Sequence, residues 1–419
     1  MKILVVGSGA REHALAWRLA GEGAEVHVAP GNGGTTEVAV NHAVDASDVP
    51  GQVALARRLG VDLVVVGPEA PLVAGLVDAL GQAGVRAFGP RKKAARLEGS
   101  KVYAKELMRR AGVPTADFEV FDDAAAAKAY VRRAGRPLVV KADGLAAGKG
   151  VTVAADGGEA VDAIERLMER RQFGDAGARV VIEERLLGPE VSYHVVSDGE
   201  RFVALAPAQD HKRAFDGDKG PNTGGMGAYS PPPMVDTALE EAIVEEVVRP
   251  TLRQLRAEGQ PLVGALFVGL MIVDGRPQVL EYNVRFGDPE TECLMARWGG
   301  SVVELLDGAA RGDLSGVEPL WSAPASLCVV LASSGYPGAY RTGERIEGLE
   351  EASAVEGVVV FHAGTRREGD AILTAGGRVL CVTATGASIA EAAERAYAAA
   401  DRVRFSGRQL RRDIGWQAR

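Results

Sequence analysis

The sequence predicts an α/β protein that opens on a parallel sheet and continues into antiparallel hairpins. Three observations carry this. Short apolar runs alternate with helical patterns over residues 1–99. Farther on, apolar runs are joined through Asp198-Gly199 and Asp274-Gly275, dipeptides that close hairpins. Glycine is in excess, 53 of 419 residues, or about 13% against a usual 7% or so, without a Gly-X-Y period. Such an excess belongs in turns or where backbone closely approaches a ligand.

The elements follow in order. Residues 3–6 form a buried strand, 10–19 a helix and 26–29 a second strand. A helix over 51–59 leads to a third strand at 61–66, then to a helix over 72–83 and a short strand at 86–88. A helix over 100–112 ends at Gly112 and Pro114. Strands are expected at 138–141, 150–154 and 180–184, with helices at 123–134 and 158–171 between them. Hairpins run through 191–207 and 262–283. Residues 209–230 form a glycine-rich irregular stretch, and 236–257 a helix. The last hundred residues hold short strands and an Ala-rich helix over 388–401.

Composition removes several classes. The net charge is −8 and no long basic run occurs, which disfavours a nucleic-acid groove. No apolar stretch reaches the roughly 18 residues of a membrane span. The start, Met1 to Gly7, lacks the pattern of a signal peptide. A cytoplasmic protein without membrane or nucleic-acid partners is expected. Cys293, Cys328 and Cys381 lie far apart and read as small core residues rather than a disulfide framework or metal motif.

Several constellations suggest chemistry. Gly7-Ser8-Gly9-Ala10-Arg11-Glu12 follows a strand and opens a helix, where backbone N–H groups favour an anion. Glu12 holds the place of the third glycine of a dinucleotide fingerprint, and no acid ends the second strand, so that reading fails. Pro30-Gly31-Asn32 and Gly67-Pro68-Glu69 end neighbouring strands on the same sheet edge, where open α/β sheets bind ligands. Lys141 to Gly150 contains Gly144, Gly148 and Lys149, yet is no Walker A loop. Three residues, not four, separate its glycines, and it leads into a strand. A glycine-rich turn between strands suits a phosphate flap with lysine counter-charges. Residues 180–190 carry strand-end acids able to meet a nucleoside. Glu281, Asn283 and Arg285 alternate along a strand and so share one face. Carboxylate and amide oxygens suit Mg²⁺, and a neighbouring guanidinium suits phosphate or acyl phosphate. Gln209 to Arg213 and Pro221 to Gly227 form a further polar segment, in which His211 reads as a structural histidine.

Together these motifs resemble the glycinamide ribonucleotide synthetases (phosphoribosylamine–glycine ligases) of the ATP-grasp superfamily. The markers include Val66 to Leu72, Glu98-Gly99-Ser100-Lys101, Lys141 to Gly150, Gln209 to Lys212, Gly220 to Ser230, Asn283 to Thr291, Phe361 to Thr365 and Arg412 to Gly415. The resemblance implies an N-terminal α/β substrate domain (1–99), an ATP-grasp domain (100–318) with a mobile lid (about 117–186), and a small C-terminal α+β domain (319–419). It implies a monomer that uses ATP with Mg²⁺ or Mn²⁺ to phosphorylate glycine, which phosphoribosylamine then attacks. By the same resemblance Glu281 and Asn283 hold metal, while Lys105, Lys141, Gly148 and Lys149 face ATP phosphates. Glu183, Glu184 and Leu186 belong to the adenine-contacting segment, and Glu190 meets ribose. Arg285 stabilises the transferring phosphoryl group. Asp288, Asp210, Lys212, Asn222, Gly225 and Met226 help hold glycine and the sugar phosphate. Gly9, Asn32 and Glu69 line the phosphoribosylamine side. A second metal acid on the strand pairing with 281–283 is missing, since that strand reads Phe267 to Ile272. The rival readings are a bicarbonate-using ATP-grasp carboxylase, a dinucleotide oxidoreductase and a nucleotide sensor without turnover.

Overall fold

A computed structural model of the chain describes residues 1–146 and 149–419. The N-terminal part runs β1 (Lys2–Gly7), α1 (Ala10–Gly21), β2 (Glu25–Pro30), β3 (Val40–Asn41), α2 (Val49–Leu59), β4 (Leu63–Val66), α3 (Glu69–Ala74), α4 (Leu76–Gln82), β5 (Ala87–Phe88) and α5 (Lys92–Gly99). Its sheet has the order β3-β2-β1-β4-β5 and is parallel throughout. The apolar run of β1 is buried on both faces, as helices on both faces require. Ile3 and Val5 pack with Leu15 and Leu19, while Leu4 and Val6 pack with Leu55 and Leu76. The single helix expected over 72–83 is broken at Gly75, whose φ of 100° ends α3 in the left-handed region and starts α4.

Next come α6 (Lys101–Ala111), capped by Ser100 Oγ on the Tyr103 amide, then β6 (Phe118–Phe121), α7 (Ala124–Ala134), β7 (Leu138–Ala142), β8 (Val151–Val153), α8 (Gly157–Ile164) and β9 (Val180–Glu184). These strands form a sheet of order β6-β9-β7-β8. It has its own core, in which Ala127, Val131 and Ile164 of the helices meet Leu138, Val140 and Ile182.

The chain continues through β10 (Glu190–Asp198) and β11 (Phe202–Ala204), a hairpin as expected. The stretch expected to be irregular instead contains β12 (Gln209–Asp210), β13 (Arg213–Phe215), β14 (Lys219–Asn222) and β15 (Gly227–Ser230). After α9 (Thr237–Ile243) and α10 (Arg249–Ala257) come β16 (Val263–Val273) and β17 (Arg276–Asn283). The central sheet is β11-β10-β16-β17.

The remainder comprises α11 (Glu290–Arg297), α12 (Val302–Arg311), β18 (Ala325–Ser333), β19 (Arg345–Ile346), α13 (Leu349–Ser353), β20 (Val358–His362), β21 (Thr365–Glu368), β22 (Ala371–Thr374), β23 (Arg378–Gly386), α14 (Ile389–Ala400) and β24 (Arg408–Gln409). Its main sheet reads β12-β15-β18-β23-β20, with β24 also on β18. Strands from the 209–230 stretch therefore complete the C-terminal sheet. A single apolar cluster joins Val5, Val196, Val330 and Phe361 of the three main sheets with Leu205 after β11 and Met295 of α11. No helix among the described residues is long and apolar enough to cross a membrane.

Candidate functional site

The three main sheets and the β7–β8 turn enclose a cavity of about 630 Å³. On its floor β17 presents Glu281 and Asn283. Alternation along the strand places both side chains on one face. Among the described residues neither side-chain oxygen is engaged in a hydrogen bond or ion pair. Burial alone would raise the Glu281 pKa, but Lys101, Lys212, Lys141 and Arg285 hold it below the usual carboxylate range. An ionised carboxylate beside a free amide oxygen is a donor set that fits Mg²⁺ or Mn²⁺. Across the ladder, Asn283 pairs with Phe267 and Glu281 with Gly269, so β16 adds no acid there. Asp210 and Glu290 also line the cavity, and the charges of Glu290 and Glu281 both act on Asp210.

Arg285 follows β17 and enters the same cavity. Its guanidinium meets Glu98 at 3.2 Å and Glu69 at 3.6 Å. Glu98 also accepts the Val284 amide at 2.8 Å, which ties the end of α5 to the strand exit. Burial pushes the Glu98 carboxyl up, whereas Glu69 is held down by Arg285 and Arg11 despite burial.

The Gly7–Glu12 turn departs from its expectation as an anion site. Glu12 Oε2 accepts the Gly9 amide at 2.7 Å, and Oε1 takes Arg11 Nε at 2.6 Å. The helix N-terminus is thus filled by a carboxylate of its own first turn, where a pyrophosphate would sit in a dinucleotide site. Cβ atoms at Gly7 or Gly67 would overlap the Glu12 side chain. Gly9 and Glu69 still line the cavity.

Lys105 and Lys141 converge on one buried carboxylate, Glu183, at 3.2 and 2.9 Å. Lys105 also donates to Thr115 Oγ1, and Lys141 to the Leu280 carbonyl. Burial lowers Lys105 to about 8, with Glu183 opposing, so it stays protonated at neutral pH. Glu183 therefore holds two lysines beside β17 rather than facing solvent. Exposed Lys149, with Gly144 to Ala146 and Gly150, overhangs the cavity from the β7–β8 turn. Gly148 lies outside the described residues. Glu184 points elsewhere, accepting the Asp117 amide and pairing with Arg136. Leu186 is half-buried after β9. Glu190 meets Lys212 at 2.6 Å. Burial, against the pull of Lys212, pushes Asp210 up to about 7, while Asp210, Glu190 and Glu281 together hold Lys212 charged.

Other expected residues take up structural work. The Asn32 amide donates to the Ser8 and His362 carbonyls and its oxygen accepts the Gly34 and Thr35 amides, so the side chain braces the N-terminal sheet against the C-terminal unit. The Met226 side chain is buried in the C-terminal core, and Asn222 is exposed on β14. Gly225 sits against Pro289 at φ 113°. His211 is a structural histidine: its Nε2 meets Gln417 and the Gly415 amide, and burial lowers it to about 4. Asp288 lines the cavity and pairs with Arg378 of β23 at 3.0 Å. Arg378 was not foreseen. It also donates to the Gly224 carbonyl, so one C-terminal side chain ties the glycine-rich stretch to the Asp288 loop. Arg11, Glu98, Lys101, Glu290 and Tyr336 line the cavity as well. Arg11, Glu98, Lys101 and Glu290 fall within motifs read from the sequence, whereas Tyr336 and Arg378 fall outside all of them.

Comparison with known proteins bears on this geometry. The phosphoribosylglycinamide synthetase family matches in three parts: its N domain over residues 1–98, its ATP-grasp (A) domain over 99–291 and its C domain over 326–417. A phosphoribosylamine–glycine ligase of Allochromatium vinosum is 53% identical, covering 100% of this chain and 99% of that one. One from Caulobacter vibrioides is 50% identical, over 100% and 98%. The crystal structure of a phosphoribosylamine–glycine ligase from Thermotoga maritima superposes with a TM-score of 0.88 at 36% identity, covering 99% of this chain and 100% of that one. The biotin carboxylase domain of Hydrogenobacter thermophilus 2-oxoglutarate carboxylase shares the fold at 18% identity, with a TM-score of 0.75 over 98% of this chain and 91% of that one.

Proposed function

The chain belongs to the phosphoribosylglycinamide synthetase family, and from that premise we infer that it ligates glycine to 5-phosphoribosylamine. The products are glycinamide ribonucleotide, ADP and phosphate, a step of de novo purine biosynthesis. The γ-phosphoryl group of ATP passes to the glycine carboxylate, giving glycyl phosphate and ADP. The amine of phosphoribosylamine then attacks the acyl carbon and phosphate leaves. A free carboxylate is a poor acyl donor; the phosphoryl group turns its oxygen into a leaving group. No covalent nucleophile is required of the protein, so its task is positioning and charge neutralisation.

The observation that carries this reading is the face of β17: two unpartnered oxygen donors, Glu281 and Asn283, followed by Arg285 in the same cavity. Glu281 and Asn283 would hold Mg²⁺, with Mn²⁺ as a substitute. The divalent ion would neutralise phosphate charge. Lys105 and Lys141 face the ATP phosphates from behind Glu183, and Lys149 reaches them from the β7–β8 turn. Arg285 neutralises the phosphoryl group in flight, restrained by Glu98 and Glu69. Asp288, Asp210 and Lys212 hold glycine and the sugar phosphate, and the turns at Gly9 and Glu69 border the amine substrate. Residues 117–186 act as a lid, closing as a body with its own core. The protein works as a cytoplasmic monomer.

The assay is ADP release with Mg²⁺, glycine and freshly prepared phosphoribosylamine. Release that requires both substrates is expected. Release driven by bicarbonate in place of glycine would establish a carboxylase instead.

A further inference from the structure

Behind the cavity, α11 carries a buried acid that the reading above leaves without a task. Glu292 is wholly buried, and neither of its carboxyl oxygens has a hydrogen-bond partner among the described residues. Asp288, one helical turn upstream, directs Oδ2 towards the Gly9 turn at the cavity. Its Oδ1 is buried without a hydrogen bond, and its charge partner is Arg378 Nη1 at 3.0 Å. One oxygen of Glu292, one of Asp288 and Cys381 Sγ all lie within 4.8 Å of one another.

Two adjacent buried acids that share one guanidinium, Arg378 on Asp288, are unstable as a pair of anions, because each loses hydration and they repel. A single proton removes one charge. On Glu292 it also supplies a donor towards the Asp288 carboxylate, one of whose oxygens lies within 4.8 Å. The groups facing Glu292 favour this on balance. Burial, the charge of Asp288 and the Cys381 thiol on β23 push its carboxyl up, while its own helix amide and Arg378 oppose. Cys293 on the same helix and Cys328 on β18 also face it, and burial keeps both as thiols. A metal ion is the weaker occupant, since Arg378 already places a fixed cation against Asp288.

We propose that Glu292 is a positioning residue, held as a neutral carboxylic acid whose proton points at Asp288 and fixes the carboxylate that meets glycine. The proposal rests on the assignment of Asp288 to the glycine site. Glutamine reproduces an uncharged donor, whereas leucine fills the space without one. In the full-length protein, Glu292→Gln keeps turnover and glycine KM within about threefold of the parent, while Glu292→Leu raises glycine KM about tenfold and leaves ATP KM unchanged. Infrared spectra of the parent show the C=O stretch of a protonated carboxyl group that Glu292→Gln lacks. A parental glycine KM in folded Glu292→Leu would overturn the proposal, as would a Gln variant as impaired as the Leu variant or the absence of the band. Stoichiometric Zn²⁺ uptake lost in Glu292→Gln would overturn it in favour of a cation site. Should Glu292→Leu fail to fold, the Gln variant and the infrared band decide. Asp288→Asn separates the two readings: an unchanged glycine KM there removes the glycine assignment, while the band still reports on Glu292 alone.

Discussion

Glu281 shows how single residues make this site. Burial pushes its carboxyl up, yet Lys101, Lys212, Lys141 and Arg285 hold it below the usual carboxylate range. Replacing it with glutamine removes the charge that a divalent ion needs while keeping the shape. Glu281→Gln is expected to lower glycine-dependent ADP release by roughly 10³-fold or more with the far-ultraviolet circular dichroism unchanged; near-normal turnover would refute the ligand role. Glu281 and Asn283 were legible in the sequence because strand periodicity alone aligns positions two apart; Arg285, expected on the same strand, lies just past the end of β17 yet lines the same cavity. Arg378 and Glu98 were not assignable by that route. Arg378 reaches Asp288 across 90 positions, and Glu98 reaches Val284 across 186, distances that no local pattern spans. The turn of the Asn32 side chain to the Ser8 and His362 carbonyls and the burial of Met226 in the C-terminal core were not legible for a related reason, since a motif fixes a residue's neighbourhood but not where its side chain turns.

At the scale of elements, the β1–α1 unit depends on one carboxylate. Glu12 lies between the glycines that end β1 and β4, so strand ends, helix N-terminus and Arg11 share one buried hub. A methyl group at Gly67 has no room unless Glu12 moves. Gly67→Ala is expected to destabilise the protein by about 1–3 kcal/mol, measured by urea unfolding; an unchanged midpoint would show that Glu12 is free to swing away. The strands of the first sheet and the long hairpins were readable because apolar runs and Asp-Gly turns are local signals. β12 to β15 were not, because they are two to four residues long, rich in glycine and polar groups, and are strands only by virtue of partners. Gly75 escaped notice in the same way: its break in the helix matters only once α3 and α4 pack separately.

For the whole molecule, the decisive fact is which cores are shared. The cluster from Val5 to Phe361 unites all three main sheets, while the lid packs its own residues. Asn32 and the Trp17–Phe361 edge contact reinforce the union between the first and last sheets. Native-state hydrogen exchange is therefore expected to show β1 and β23 amides opening together at the global free energy, with lid amides in α7 and α8 opening at lower cost. Separate, lower-energy opening of β23 would contradict this. The placement of β15 against β18 also bears on the order of events at the ribosome. The C-terminal sheet borrows β12 and β15, made long before the rest of it, so β15 has only the two residues of β12 as a partner until β18 emerges. A fragment beginning after residue 319 would lack this strand and leave the edge of β18 open from the start, a ready template for chain-to-chain pairing. Excising the C-terminal unit for separate expression thus exchanges a closed seam for an adhesive one.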